Sequence, residues 1–103
     1  MPFFEISTTK YVEDVKLIQV AMTKMAGICN IATGFKFGDP VSRFGWTFFK
    51  IFIDQELYIG IEDEFSDMIK KSKGHKPDEK FVNFLSQYFE SRGCNVKVKM
   101  VND

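Results

Sequence analysis

Two adjacent apolar runs decide the fold: TFFKIFI at residues 47–53 and LYIGI at residues 57–61. Because side chains alternate between the two faces of a strand, we predict a β-hairpin joined across residues 54–56, with one buried row and one outward row. The predicted buried row is Phe49, Ile51, Ile53, Leu57, Ile59 and Ile61. The predicted outward row is Phe48, Lys50, Phe52 and Tyr58. Since the outward row mixes aromatic rings with a lysine, it is the predicted binding surface.

Composition limits the class of protein. The chain has 103 residues, of which 45% are hydrophobic and 27% are charged, and its formal net charge is zero. This length suits one core, so we predict a single domain over residues 1–103. The hydrophobic content excludes the disordered class. The balanced charge argues against broad electrostatic capture of nucleic acid or of an anionic membrane, although a local basic patch remains compatible with it.

The two cysteines carry no metal-binding signature. Cys29 and Cys94 lie far apart, and neither belongs to a CxxC or Cys/His cluster with zinc-ligand spacing. We therefore predict free buried thiols, no metal site and no cofactor. The sequence shows neither a signal-peptide pattern nor an apolar run of roughly 18 residues. These features predict a cytoplasmic protein without membrane association.

Periodic segments flank the predicted hairpin. Residues 3–8 and 95–101 alternate as strands do. A first helix is predicted from apolar residues at helical spacing, with Thr8 or Thr9 as its amino cap: Val12, Val15, Ile18, Met22, Met25 and Ile28. A second helix is predicted to open at Pro77 and to stop at Gly93, with an apolar face of Phe81, Leu85, Tyr88 and Phe89.

The remaining segments are less regular. A short helix is predicted within residues 62–71, where acidic residues precede lysines in agreement with the helix dipole. Residues 29–44 contain Gly34, Gly38 and Pro40 and are predicted as a loop. Whether residues 31–37 add a fifth strand is left open.

The element order is strand, helix, hairpin, helix, strand. This order predicts an α+β domain of ferredoxin-like, split β-α-β form (β-α-β-β-α-β), with helices on one face of an antiparallel sheet. The other sheet face is then expected to collect Phe3, Glu5, Phe48, Lys50, Phe52, Tyr58, Lys97 and Lys99.

A sheet face that carries several aromatic rings is seldom left bare in water. We therefore predict a small, non-enzymatic binding or regulatory module that docks a protein partner, or a second copy of itself, through this face. The exposed sheet edges offer a further mode, the addition of a strand. The predicted binding residues are Trp46, Phe48, Lys50, Phe52, Tyr58, Lys97 and Lys99.

Single-stranded nucleic acid is the alternative ligand, because aromatic platforms with interleaved lysines stack bases and follow the backbone. Residues 44–51 (FGWTFFKI) resemble the ribonucleoprotein-1 motif of RNA-recognition domains, with Gly45, Trp46 and Phe48 at matching positions. The resemblance implies RNA binding through the sheet face. Phe44 replaces the leading basic residue, and Thr47 stands where a small residue is usual. The hairpin prediction also puts a strand where that family has a helix.

An enzymatic interpretation ranks third. The opening MPFFEI resembles the start of the tautomerase family, in which a processed amino-terminal proline acts as a base. The resemblance implies a catalytic role for Pro2. It extends over residues 1–30 and ends at the glycine-containing segment that follows. No catalytic residue is predicted from the rest of the chain.

Overall fold

The computed structural model describes residues 3–101, so Pro2 lies outside the described range. The elements are β1 (Phe3–Thr8), α1 (Tyr11–Ile28), β2 (Phe35–Phe37), β3 (Val41–Arg43), β4 (Trp46–Ile53), α2 (Gln55–Glu64), α3 (Ser66–Lys71), α4 (Pro77–Ser91) and β5 (Lys97–Val101). Within that range, an open antiparallel sheet of five strands is combined with four helices. The predicted α+β class is confirmed.

The strands are ordered β2-β4-β1-β5, and β3 also pairs with β4. β2 pairs with residues 51–53 of β4, and β3 pairs with residues 46–48. Because β1 takes the opposite edge of β4, β2 and β3 lie end to end along one side of it. β5 pairs with the free side of β1. The segment in which a fifth strand was left open therefore does contain one, at Phe35–Phe37.

The predicted hairpin between residues 47–53 and 57–61 is wrong in its second half. β4 forms with Phe49, Ile51 and Ile53 buried as predicted, but residues 55–64 form α2. Leu57 and Ile61 are fully buried, four residues apart on one face of this helix, whereas Ile59 is 47% exposed. In the five-residue run LYIGI, the apolar residues Leu57, Ile59 and Ile61 stand at alternate positions, a pattern too short to separate a helix from a strand. The helix buries two of these three side chains in the core.

The true hairpin partner of β4 is β3. Arg43 and Trp46 pair across a two-residue turn. Phe44 and Gly45, which form the turn, have φ values of 51° and 81°. Two successive positive φ angles are characteristic of the type I′ turn, whose twist matches that of the strands. The Phe44 side chain at the tip is completely exposed.

The helices pack on the sheet face that carries Phe4, Ile6, Phe49 and Ile51. Tyr11 of α1 contacts the edge of Phe49, with ring centroids 5.3 Å apart. Phe81 of α4 stacks on Phe4 at 5.6 Å. Both long helices were predicted. The predicted ends of α4 hold, since Pro77 begins the helix and Ser91 is its last residue, with Arg92 as the carboxyl cap before Gly93.

Two helix predictions need correction. The buried face of α1 includes Ala21 and Ala26, which were not predicted, whereas the predicted Val12 and Ile28 are exposed. The short helix predicted over residues 62–71 is divided at Phe65: its first residues belong to α2, and α3 follows. Among residues 3–101, no helix combines the length and the apolar character needed to cross a bilayer.

Candidate functional site

The sheet face opposite the helices is defined by strand register. Phe3, Glu5 and Ser7 of β1 pair with Phe52, Lys50 and Phe48 of β4. The same three residues pair with Val101, Lys99 and Lys97 of β5. We call this surface the open face, and its residues are Phe3, Glu5, Ser7, Lys36, Val41, Arg43, Trp46, Phe48, Lys50, Phe52, Lys97, Lys99 and Val101.

Six of the seven predicted binding residues lie on the open face: Trp46, Phe48, Lys50, Phe52, Lys97 and Lys99. Tyr58 does not, because it belongs to α2 and not to a strand. Its ring stacks on Phe81 in the helical layer, with centroids 4.3 Å apart. Burial, with the nearby carboxylates of Glu62 and Asp78, raises the pKa of Tyr58 to about 12. Tyr58 is therefore a packing residue of the helical layer.

A groove of about 480 Å³ lies on the open face beside the β3–β4 hairpin. Its lining is Glu5, Asp39, Val41, Arg43, Phe44, Trp46, Phe48, Phe49 and Lys50. The sequence interpretation missed Asp39, Val41 and Arg43, because they fall in the segment predicted as a loop. The signal that would have found them is the alternation of Val41 and Arg43 immediately before the Phe44-Gly45 turn.

Cationic side chains lie over the aromatic rings of the open face. The Nζ of Lys97 is 5.3 Å from the centroid of the Trp46 ring. The Nζ of Lys50 is 4.8 Å from the Phe3 ring, and Phe3 in turn contacts Phe52 at 5.5 Å. These distances are those of cation–π interactions. Lys50 and Lys97 are thereby held against aromatic rings of the same face.

The open face is locally basic, although the chain is neutral. Its basic residues are Lys36, Arg43, Lys50, Lys97 and Lys99. Glu5 and Asp39 are the acidic residues of the face and its groove. The compensating negative charge is concentrated in residues 54–67, in and around α2 and α3. The open face is therefore a local basic patch, and the helical layer carries both acidic residues and lysines.

Other chemistry is weakly represented in the described part of the chain. Residues 3–101 contain no group of three His, Cys, Asp or Glu side chains placed to hold a metal ion. Burial raises the pKa of the Cys94 thiol, and the charge of Asp14 adds to this effect. Burial, and then Glu64, raise the pKa of Cys29 in the same direction. Both thiols are disfavoured as thiolates, the form in which cysteine reacts.

Comparison with known proteins gave no match to a family model, to a curated protein or to a solved structure.

Proposed function

We propose that the chain is a single-domain, non-enzymatic binding module of ferredoxin-like plan, and that the open face is its ligand-binding surface. The strand order supports this plan. When β2 and β3 are taken as one interrupted strand, the order is β5-β1-β4-β2/β3 with every neighbouring pair antiparallel. The element order is then β-α-β-β-α-β, with α2 and α3 preceding α4 in the second helical connection.

The proposed ligand of the open face is single-stranded nucleic acid, and RNA in particular. The observation that carries the proposal is the placement of Trp46 and Phe48 in one groove with Arg43 and Lys50. Bases stack on aromatic rings regardless of sequence, while neighbouring cations neutralise the phosphates. The zero net charge of the chain weighs little against this proposal, because the open face and its groove carry five basic residues and only two acidic ones.

The resemblance to RNA-recognition domains also gains support. The sequence interpretation put a strand after residues 44–51, but the segment that follows β4 is the helix α2. Trp46 and Phe48 lie two residues apart on the open face of β4, which lies next to β1 inside the sheet. RNA-recognition domains present their stacking aromatics on a four-stranded sheet in a similar way. Phe44 and Thr47 remain departures from the motif.

The conformation of Phe44 further supports ligand contact at the groove. Its φ of 51° lies in a region that bulky side chains rarely adopt, and its ring contributes nothing to the core because it is fully exposed. Unfavourable backbone conformations of this kind are concentrated at functional sites. An exposed ring at the mouth of the groove suits a stacking contact with a base.

The test is a titration of the full chain with fluorescein-labelled, single-stranded RNA and DNA octamers, followed by anisotropy. Trp46 is the only tryptophan, so quenching of its emission reports occupancy of the groove independently. Affinity should fall steeply with rising salt. Phe48→Ala should weaken binding by about tenfold, as expected for the loss of one stacking ring.

Val20→Ala is the matched control, because Val20 is 63% exposed on α1 in the helical layer. The control should bind as the unmodified chain does. An absence of binding to both octamers at low salt would overturn the nucleic-acid proposal, as would equal losses in the two variants.

Protein docking at the open face is the second candidate function. The observation that favours it is an exposed apolar rim: Phe44 is fully exposed, Val41 is 52% exposed and Phe52 is 41% exposed. Aromatic residues are enriched in the centres of interfaces. Sedimentation velocity of the chain and of Phe52→Asp, with circular dichroism as the control of folding, tests self-docking. A salt-insensitive dimer that the substitution dissociates without unfolding would favour this candidate.

A further inference from the structure

A second surface lies at the edge of the sheet, away from the groove of the open face. β5 is the last strand in the sheet order, and in the part of the chain that the structure describes no strand pairs with its outer side. Its inner side is paired with β1 over residues 97–101. An unpaired strand edge is a template for another extended segment.

A groove of about 360 Å³ runs beside this edge, between α4 and β5. Val82 of α4 and Val98 and Met100 of β5 supply its apolar lining. Asp78, Glu79, Asn83 and Lys99 complete the lining. An open strand edge with a side-chain groove beside it has the two parts of a strand-addition site, in which main-chain hydrogen bonds give affinity and the groove selects alternate side chains.

We propose that β5 and α4 bind an extended peptide in which apolar and acidic residues alternate. Its backbone pairs with the outer edge of β5, its apolar side chains enter the groove beside Val82, and its acidic side chains lie next to Lys97 and Lys99. This site goes beyond the proposed function, because it uses the sheet edge and binds a protein segment.

The occupied side of β5 shows which pattern the strand accepts. On the core face, Phe4 and Ile6 of β1 pair with Met100 and Val98. On the open face, Glu5 of β1 pairs with Lys99. β1 is therefore an apolar-acidic-apolar strand against β5. A segment added to the outer edge of β5 would lie beside the same β5 side chains as β1 does. It should therefore also carry apolar residues on the core face and an acidic residue on the open face.

A second copy of this chain fits the edge poorly. In the antiparallel register that pairs all of Lys97–Val101 with its own copy, Lys99 lies opposite Lys99, and like charges in directly opposed positions are destabilising. Exposed lysines on an edge strand are a common protection against self-association. On the open face of β5, Lys97 and Lys99 therefore favour a foreign acidic segment over a homodimer, whereas Asp78 and Glu79 belong to α4 on the helical side.

The test uses the full chain and a labelled heptapeptide, Thr-Val-Glu-Val-Glu-Val-Thr, in fluorescence polarisation. The matched control replaces both glutamates by lysine, and a second control carries N-methyl groups on the backbone edge that faces β5. The glutamate peptide should bind about tenfold more tightly than the lysine peptide, and the N-methylated peptide should not bind. Amide hydrogen exchange of residues 97–101 should slow when the glutamate peptide is bound.

Arg43→Ala separates this site from the open face, because Arg43 lines the open-face groove from β3, at the edge of the sheet opposite β5. It should weaken nucleic-acid binding and leave peptide affinity unchanged, so the two proposals fail independently. Three outcomes overturn strand addition at β5: no binding of the glutamate peptide up to millimolar concentration, equal binding of the N-methylated peptide, or unaltered exchange in residues 97–101. Equal binding of the lysine peptide would overturn the preference for acidic side chains.

Discussion

The hydroxyl of Thr8 donates a hydrogen bond to the carboxylate of Asp14, and both side chains are buried. The same hydroxyl oxygen accepts a hydrogen bond from the backbone N–H of Lys10, at 2.9 Å. These two contacts tie the last residue of β1 to the first turn of α1. Thr8 was predicted as a helix cap, but the cap position is Lys10, which makes no side-chain capping bond. Thr8 instead stabilises the start of α1 by its hydrogen bond to the side chain of Asp14.

Thr8→Val should lower the free energy of unfolding by about 2 kcal/mol, because it leaves a buried carboxylate without its donor. Thr8→Ser keeps the hydroxyl and serves as the control. Urea unfolding followed by circular dichroism measures both variants. Equal stability of the two would show that the hydrogen bond to Asp14 contributes nothing.

The β3–β4 turn offers a pair of substitutions with opposite effects. Phe44→Asn should raise the free energy of unfolding by about 1 kcal/mol, because asparagine tolerates positive φ better than phenylalanine does. Gly45→Ala should lower it by about the same amount. An added Cβ at Gly45 meets no atom within 4 Å, so this loss reflects the backbone alone. Thermal unfolding checks both, and unchanged stability in both would contradict the type I′ assignment.

Gly34 is a steric constraint on the junction between β2 and α2. A Cβ added there would lie 2.9 Å from the Cβ of Leu57, and the residue has a φ of 132°. Gly34→Ala should therefore destabilise the chain by about 2 kcal/mol or more. Gly27 in α1 has open space around an added Cβ, so Gly27→Ala should instead stabilise by about 0.5 kcal/mol. Chemical unfolding of the pair measures the contrast, and a Gly34→Ala chain as stable as Gly27→Ala would refute it.

Ionisation of Tyr58 should lower the free energy of unfolding at alkaline pH. Its pKa rises from 10.0 to about 12 in the folded chain, chiefly through burial. The folded state therefore holds the phenol proton more tightly than the unfolded state. The stability gained from this is present below pH 10 and is lost as pH rises from about 10 to about 12.

Tyr58→Phe removes this titration and keeps the ring that stacks on Phe81. Between those two pH values, the free energy of unfolding should fall less steeply in the variant than in the unmodified chain. Urea unfolding at a series of pH values measures the two slopes. Identical slopes would show that Tyr58 ionises alike in both states.

The open face could be predicted from the sequence to a large extent, because β4 alternates over eight residues. Phe48, Lys50 and Phe52 followed from that alternation, and Lys97 and Lys99 from the alternation of the last strand. Trp46 came from the resemblance to the ribonucleoprotein-1 motif. Tyr58 was assigned to a strand because the apolar residues of LYIGI fit both strand and helix spacing. Only the packing of this segment against the core decides between the two structures. The groove was missed in part because β3 has only three residues, so its alternation is informative only together with the Phe44-Gly45 turn that follows it.

The two edges of the sheet differ in one respect that bears on assembly. Along the β2/β3 edge, Pro40 lies between two very short strands and has no backbone N–H to donate to an added strand. The β5 edge is continuous. Edge-to-edge polymerisation requires two pairing edges on every subunit, so that each addition exposes a new growing end. A molecule with only one pairing edge can join the end of a growing intermolecular sheet but offers no edge for the next subunit. It would therefore stop the growth of a fibril instead of extending it.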